Sequence, residues 1–336
     1  MTKSLSQSHS RLRAILSARE MPVFVALLAL VIITWAINPR FLTPQGVKDL
    51  FLNATIAMLM AAGQSLIISS EGVDLSVGSI LGCSAFFTGV LFAQYPDIPI
   101  VVVFVAGTLL GALLGSINGI LVTKAKVPAM VITLGTLYAF RGFLNWWAGS
   151  TQYFAGDRPQ AFGDMGVATF FGFPVLTALA VFVVILVSLY QRYARSGRDL
   201  YAIGSDRDAA AVYGIPVGRR VFTAFVVNGA LVGLGGVLYA SRFNSVGATT
   251  GSGMELDIVA ACVVGGVAIT GGVGIAYGAA IGALLLNTIT SALTALGVDK
   301  FWQKAMVGAL IIVAIVIDRV STIRRQEALR KKGAAA

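Results

Sequence analysis

The few carboxylates near the apolar stretches of this sequence are the first candidates for chemistry. The stretch "SSEGVDLSVGS" (69–79) carries Glu71 and Asp74 between two apolar runs, and "GSGMELDIVAA" (251–261) carries Glu255 and Asp257 before a third. A carboxylate at the centre of a bilayer costs about 2.5–3.5 kcal/mol, so such groups face a turn, a cavity or a partner. Two interpretations are open: the acids cap helices at tight turns, or they mark broken helices whose ends line a path.

Amides and hydroxyls within the apolar runs could hydrogen-bond a polyhydroxylated solute, although each alone is more often a contact between helices. Together with the four carboxylates, the candidate path residues are Asn53, Gln64, Glu71, Asp74, Asn118, Thr133, Thr136, Asn145, Glu255 and Asp257. The sequence shows no His, Cys or carboxylate cluster at metal-ligand spacing and no nucleophile with a base. We therefore predict no catalytic residue, no metal site and no cofactor.

A polar island, "YAIGSDRDAAAVYGIPV" (201–217), separates two long apolar runs. Ser205 is a suitable N-cap, Asp208 stands at the capping-box position, and Gly214 and Pro216 are stop signals. The pattern predicts a helix at about 206–213, too short to be stable alone. It either lies on the membrane surface as a connector or docks on a soluble cytoplasmic protein. The docking contacts would be Asp206, Arg207, Asp208 and Tyr213.

The elements that must position these residues are membrane spans. The chain has 336 residues, of which 57% are hydrophobic and 12% charged, and its mean hydropathy is +0.84. This composition excludes an ordinary soluble domain and predicts an all-α, polytopic integral membrane protein. Ten apolar segments lie at about 21–37, 50–70, 75–93, 98–122, 128–147, 174–191, 221–241, 256–271, 274–296 and 302–318. Because several are short or contain glycine, eight full spans with partial ones remain an alternative.

Weak internal similarity links 73–82 to 256–266 and 107–118 to 278–287. This predicts that spans 2–5 and 7–10 are related halves, a common plan for transporters.

Charge predicts the orientation. With a cytoplasmic N-terminus, 18 of the 25 Lys and Arg residues fall on the cytoplasmic side and 6 on the other, with Arg141 near a span end. This positive-inside bias places both termini in the cytoplasm. It predicts a cytoplasmic tail at 1–20, a transmembrane domain at 21–320 with a cytoplasmic loop at 192–220, and a cytoplasmic tail at 321–336. The net charge of +10 then needs no nucleic-acid partner.

The sequence also shows whether the chain itself could bind ATP as a source of energy. No GxxxxGK[ST] motif occurs, so the chain has no Walker A loop to hold ATP phosphates. If ATP is used, another subunit must bind it.

Four stretches, in order, resemble the signature regions of one family. They are "EGVDLSVGS" (71–79), "VPAMVITLGT" (127–136), the polar island, and "ELDIVAACVVGG" (255–266). They resemble permease subunits of bacterial monosaccharide ATP-binding-cassette (ABC) importers of the ribose/xylose/arabinose/rhamnose type. The resemblance runs from about residue 40 to 320.

The resemblance implies a multi-pass subunit of the bacterial inner membrane that performs no bond chemistry. It implies as partners a second copy or a homologous permease, cytoplasmic ATP-binding subunits that hydrolyse ATP, a periplasmic sugar-binding protein and membrane lipid. The polar island would be the coupling helix, seated on the ATPase through Ser205, Asp206, Arg207, Asp208, Ala209, Ala210, Tyr213, Gly214, Ile215 and Pro216.

The alternative function is an ion-coupled secondary transporter or facilitator. Such a protein is expected to carry ionisable residues within the membrane as a relay. Here Glu71, Asp74, Glu255 and Asp257 all lie at segment ends, which favours the importer.

Overall fold

Helices make up most of the described structure, as the composition predicts. The computed structural model describes residues 21–125, 127–299, 301–306, 308, 309 and 312. The helices are α1 (Met21–Ile37), α2 (Pro44–Ser69), α3 (Val77–Gln94), α4 (Ile100–Ala125), α5 (Ala129–Ala148), α6 (Gln160–Met165), α7 (Val175–Tyr193), α8 (Arg195–Ser205), α9 (Arg207–Val212), α10 (Val217–Arg242), α11 (Met254–Val264) and α12 (Ala276–Ala295). Two-residue strands are β1 (Tyr153–Phe154), β2 (Thr169–Phe170), β3 (Phe173–Pro174) and β4 (Ser245–Val246); β1 pairs with β4 and β2 with β3, both antiparallel.

Nine of the ten predicted segments coincide with a helix, and the all-α polytopic fold is confirmed. Within the described ranges, six helices are long and apolar enough to cross a membrane: α2, α3, α4, α7, α10 and α12. The exact number of spans stays a prediction. The tails at 1–20 and 321–336 and most of the last segment, 302–318, lie outside the described residues.

The eighth segment is shorter than expected. The sequence predicts an apolar run over 256–271, but α11 ends at Val264. Gly265 caps the helix, and Gly266 follows with a φ of +88°, a left-handed conformation that glycine adopts without steric cost. The helix therefore breaks at the glycine pair.

Glycine also allows a close contact between two helices of the bundle. Gly111 and Gly115 of α4 cross Gly229 and Gly233 of α10. A Cβ atom on Gly111 would lie 2.5 Å from the Gly233 Cα, and one on Gly229 would lie 2.8 Å from the Gly115 Cα. The two backbones touch without side chains between them, as small residues four apart allow in a membrane.

Helix pairing crosses between the two halves. Helix α4 packs mainly along α10, and α12 packs mainly along α2. If spans 2–5 and 7–10 are related, these two contacts are equivalent, because each joins the first helix of one half to the third of the other. The pairing is consistent with the predicted repeat, which stays a prediction.

Candidate functional site

The chain between α2 and α3, residues 70–76, forms a buried break. Helix α2 ends in a tight turn in which the Glu71 N–H donates to the Ile68 carbonyl and the Gly72 N–H donates to the Ile67 carbonyl, both at 3.0 Å. Glu71 itself has a φ of +64°, which is uncommon for a residue with a side chain. The turn sends the chain back into the bundle, where Gly72, Val73 and Asp74 are all buried.

Asp74 lies at the centre of this break and is fully buried. The backbone N–H and hydroxyl of Ser76 both donate to its Oδ1, at 2.9 and 2.7 Å. The Nδ2 of Asn228 on α10 donates to its Oδ2 at 3.0 Å. Burial raises the pKa of the Asp74 carboxyl, and these hydrogen bonds offset part of that shift.

Two more helices attach to the break. The Nδ2 of Asn118 on α4 donates to the Ser76 hydroxyl at 2.7 Å. On α5 the Thr133 hydroxyl donates to the Val73 carbonyl at 2.9 Å and accepts from the Leu75 N–H at 3.1 Å. The polar residues of the break therefore join α4, α5 and α10.

The predicted path residues divide by burial. Gln64, Asp74, Asn118, Thr133 and Thr136 are buried; Asn53, Glu71, Asn145 and Asp257 are exposed; Glu255 is half-buried. Asp74, Asn118 and Thr133 join elements through hydrogen bonds. The Thr136 hydroxyl donates within its own helix, and the Gln64 amide makes no hydrogen bond among the described residues. The part of the buried five in a translocation path stays a prediction.

A second break, residues 265–275, lies between α11 and α12 and meets the first. The Gly272 N–H donates to the Ser69 carbonyl at 3.1 Å. The Gln191 Oε1 accepts from the Ala276 N–H at 2.7 Å, while its Nε2 donates to the Ser65 hydroxyl at 3.3 Å. Gln191 thus joins the start of α12 to the end of α2.

Helix α8 packs against both breaks. The Tyr201 hydroxyl donates to the Gly274 carbonyl at 2.6 Å, and burial raises the pKa of Tyr201 to about 12. At the end of α8, Gly204 fits between the ends of the two breaks: a Cβ atom there would overlap the Ser69 carbonyl oxygen and lie 2.5 Å from the Gly272 nitrogen. The polar island is therefore in direct contact with both breaks through α8.

The island contains the predicted short helix with a different start. Helix α9 covers Arg207–Val212, and its N-cap is Asp206, whose carboxylate accepts from the Ala209 N–H at 2.9 Å. The predicted N-cap, Ser205, was wrong: Ser205 is the last residue of α8. Helix α8 itself was missed, because the sequence over 192–205 was interpreted as a polar loop.

The end of α9 agrees with the prediction. Gly214 has a φ of +79°, and the Ile215 N–H donates to the Ala210 carbonyl at 3.0 Å, closing the helix. Pro216 follows and is also the N-cap of α10. Ala210 faces inward and is buried, whereas Val212 and Tyr213 are 86% and 87% exposed. The island presents an apolar and aromatic tip to its surroundings.

The second acidic pair lies where a loop enters the bundle. The Arg141 Nη1 donates to the Ala248 and Thr250 carbonyls at 3.0 and 2.7 Å and holds the loop before α11 in place. The Glu255 carboxylate then lies against Gly78 in the first turn of α3, where a Cβ atom would overlap it. Glu255 therefore sits beside the helix that follows the buried break.

Of the predicted path residues, Asn53 lines an open space in the structure that we call the outer cavity. It has a volume of about 790 Å³ and lies between α2, α12 and the adjoining ends of α10 and α11. The residues that line it are Asn38, Arg40, Phe41, Gly46, Asp49, Leu50, Asn53, Ile56, Tyr239, Phe243, Met254, Asn287, Thr290, Ser291, Thr294 and Ala295.

Sequence reasoning missed Gln191, Tyr201, Gly204 and Asn228. The Asn228 signal was present, a lone amide in the middle of "FTAFVVNGALVG". Gln191 stands next to Arg192 at the end of an apolar run and is indistinguishable there from an ordinary membrane-boundary residue.

Comparison with known proteins decides the family. Residues 46–315 match the family described as "Branched-chain amino acid transport system / permease component". The chain belongs to this permease family. The resemblance to importer permeases drawn from the four motifs is confirmed, and the chain is a transport subunit.

Individual relatives match over almost the whole chain. The permease is 33% identical to the autoinducer 2 import system permease protein LsrC of Enterobacter sp. (strain 638), over 95% of this chain and 93% of the relative. It is 32% identical to the proteins of the same name from Klebsiella pneumoniae, over 95% and 92%, and from Escherichia coli O157:H7, over 91% and 89%. No solved structure matches.

Proposed function

We propose that this permease forms the membrane path of an ABC importer for a small, neutral, polyhydroxylated solute, either a monosaccharide or autoinducer 2. The family description mentions branched-chain amino acids, whereas the relatives are named for autoinducer 2. The family alone therefore leaves the solute open. The sequence resemblance to monosaccharide permeases and the relatives' names both favour a polyhydroxylated solute.

The observation that carries the proposal is the exposed tip of the polar island. Val212 and Tyr213 together present a large apolar surface on a helix of six residues, which cannot be stable by itself. Tyrosine is among the residues most enriched at the energetic centres of protein interfaces. We assign this tip, with Asp206, Arg207 and Asp208, to the docking surface for a cytoplasmic ATPase subunit.

The packing of α8 supports a route from this docking surface to the membrane interior. A movement of α9 would be passed to α8, and Gly204 at the end of α8 contacts both breaks through Ser69 and Gly272. A span follows each break, α3 after the first and α12 after the second. A movement of either break would tilt the span that follows it. In this mechanism ATP binding in the partner moves α9, and the spans rock to open the path to one side and then the other.

The remaining partners follow from the resemblance and the charge distribution. We propose a second copy or a homologous permease, two ATPase subunits, and a periplasmic binding protein that delivers the solute. The excess of Lys and Arg over 192–220 supports a cytoplasmic position for this loop, and we propose that the chain lies in a bacterial inner membrane with both termini in the cytoplasm.

The runner-up is a secondary transporter driven by an ion gradient. The fully buried Asp74 is the group that such a mechanism would use, since an ionisable residue within a membrane protein marks a functional site by default. The hydrogen bonds from Ser76 and Asn228 already account for both of its oxygens, which favours a structural role.

Reconstitution distinguishes the two functions. Proteoliposomes would hold the permease alone or with its cognate ATPase and binding protein, and uptake would be measured for D-ribose, D-xylose, L-arabinose, L-rhamnose and autoinducer 2. We expect concentrative uptake of at least one solute only in the complete complex with ATP. Concentrative uptake by the permease alone under a proton or sodium gradient would contradict the proposal.

A further inference from the structure

The outer cavity differs from the rest of the membrane-facing surface in its polarity. On α4, the exposed side chains Val101, Val105, Leu109 and Leu113 form an apolar stripe of the kind that faces lipid. The outer cavity instead gathers amide and hydroxyl groups from α2 and α12. Polar side chains at this depth are expected to face protein or a water-filled space.

The cavity reaches well into the spans. At 1.5 Å per residue, Asn53 lies about 13 Å along α2 from its first residue. Asn287 lies about 12 Å from the end of α12 by the same measure. Both residues line the cavity, so it extends more than two helical turns along each of these spans. Its volume of about 790 Å³ falls within the range of roughly 300–1,000 Å³ that is usual for small-molecule sites.

One wall of the cavity has unused hydrogen-bonding groups. Within the described part of the chain, the side chains of Asn53 and Ser291 make no hydrogen bond. Asn287 uses its Nδ2 to donate to the Ala283 carbonyl at 3.0 Å, which leaves its Oδ1 free to accept. These groups offer both donors and acceptors, as the hydroxyls of a sugar require.

The lining also contains an aromatic pair. Tyr239 and Phe243 stack with ring centroids 4.3 Å apart and an angle of 28° between their planes. The Arg242 guanidinium lies 5.8 Å from the Phe243 ring centroid. This stacking fixes the position of Tyr239, whose ring offers a flat apolar surface and whose hydroxyl offers a polar end.

The charges of the lining balance each other. Arg40 and Asp49 are its charged members, and Asp49 also lies 3.8 Å from the Arg242 guanidinium. Because the lining holds one charge of each sign, a neutral solute meets no net charge there.

We infer that the outer cavity is a binding site for a single neutral sugar ring, which stacks on Tyr239 and hydrogen-bonds to Asn53, Asn287 and Ser291. The solute would occupy this site after its release from the binding protein and before it enters the interior of the permease. The inference rests on the proposed function, because that function supplies the class of solute.

Cysteine protection tests the site directly. The native Cys83 and Cys262 are buried, 1% and 0% exposed, so a hydrophilic thiol reagent added outside proteoliposomes leaves them unlabelled. T290C and T294C place a thiol at two exposed positions of the cavity lining that are not among the proposed sugar ligands, and Y95C places one at an exposed position outside it. Labelling rates are measured with and without D-ribose, D-xylose, L-arabinose and L-rhamnose.

We expect a sugar that the complete complex imports to slow the labelling of T290C and T294C severalfold and to leave Y95C unchanged. In the T290C background, Y239A should abolish the protection and Y239F should keep it, because phenylalanine preserves the stacking face. Unchanged labelling of both cavity cysteines by an imported sugar would overturn the site.

Two other outcomes are also decisive. If both cavity cysteines resist the reagent while Y95C reacts, lipid or protein fills the space and the inference is wrong. If the wild-type complex imports none of these sugars in the parallel uptake assay, the proposed monosaccharide function is wrong, and the site for a sugar ring falls with it. The uptake assay shows this independently of the labelling rates.

Discussion

The buried break (70–76) and the tip of the polar island (206–216) share two sequence features but lie in opposite environments. Each has an aspartate close to the start of a helix and a glycine at a turn. In the break, Asp74 is 0% exposed and its oxygens bind side chains from within the bundle. In the island, Asp206 is exposed and caps its own helix, while the apolar Val212 and Tyr213 face outward.

The comparison teaches that the two stretches serve different purposes. Polar groups turned inward, as in the break, fix how α3, α4, α5 and α10 fit together, and their loss should affect folding. Apolar groups that face outward, as in the island, do not stabilise the permease by itself. Their loss should affect the assembly of the permease with its ATPase partner. The predictions below test this division from the largest expected effect to the smallest.

The largest effect is expected for Asp74→Ala. The substitution leaves the Ser76 N–H, the Ser76 hydroxyl and the Asn228 amide without their acceptor in a dry interior. Since each buried unpaired group costs about 1–3 kcal/mol, we expect a loss of about 3 kcal/mol, measured as a lower midpoint of thermal unfolding in nanodiscs.

Asp74→Asn is the matched control. Its Oδ1 can still accept from Ser76, and its Nδ2 can donate to the Asn228 Oδ1, which is buried and unpaired, once the Asn228 amide turns over. Because burial raises the pKa of Asp74, the wild type loses stability as pH rises through that pKa, and the asparagine variant does not. The variant should match or exceed the wild type at high pH, and a loss equal to that of Asp74→Ala would contradict this role.

Gly204→Ala tests the contact that joins the two regions. Glycine to alanine in a helix is ordinarily stabilising by up to about 1 kcal/mol. Here the added Cβ overlaps the Ser69 carbonyl, and overpacking of this kind costs about 1–3 kcal/mol. We expect lower thermal stability and weaker ATPase stimulation by solute in the complete complex. Gly218→Ala, in α10 at a position where a Cβ meets nothing within 4 Å, should not lower the thermal stability and should leave the ATPase stimulation unchanged.

The smallest effect is expected for Asp206→Ala. Loss of an N-cap side chain costs about 1 kcal/mol, and α9 has only one such cap. We expect faster amide hydrogen exchange over 207–213 with no change in the thermal midpoint of the bundle. Asp208→Ala, which removes a charge from the same turn without removing the cap, should leave exchange nearly unchanged; equal effects would argue against Asp206 as the cap.

Most of the fold could be predicted from the sequence because apolar runs reveal membrane helices directly. The island helix was also predictable, since alanines between an aspartate and a glycine favour one local structure. The family was readable from four short motifs. These signals are local, so they can be recognised in the sequence without the tertiary structure.

The interior of the site could not be predicted for the opposite reason. Nothing in "EGVDLSVGS" shows that Asp74 meets Asn228, which lies 154 positions away. Gly204 is an ordinary residue in sequence and becomes important only because two breaks meet at its Cα. The N-cap was wrong by one position because Ser205 and Asp206 are both good caps, and the unpredicted helix α8 takes Ser205.

The central claim is that the island tip docks the ATPase, and the affinity between nanodisc-embedded permease and its cognate ATPase tests it most directly. Since burying an apolar side chain contributes about 1.5–3 kcal/mol, the double variant V212S/Y213S should bind at least about tenfold more weakly, with an unchanged thermal midpoint. The control F171S, at a position 96% exposed in the loop before α7, should bind as the wild type does. Wild-type affinity in V212S/Y213S would contradict the account.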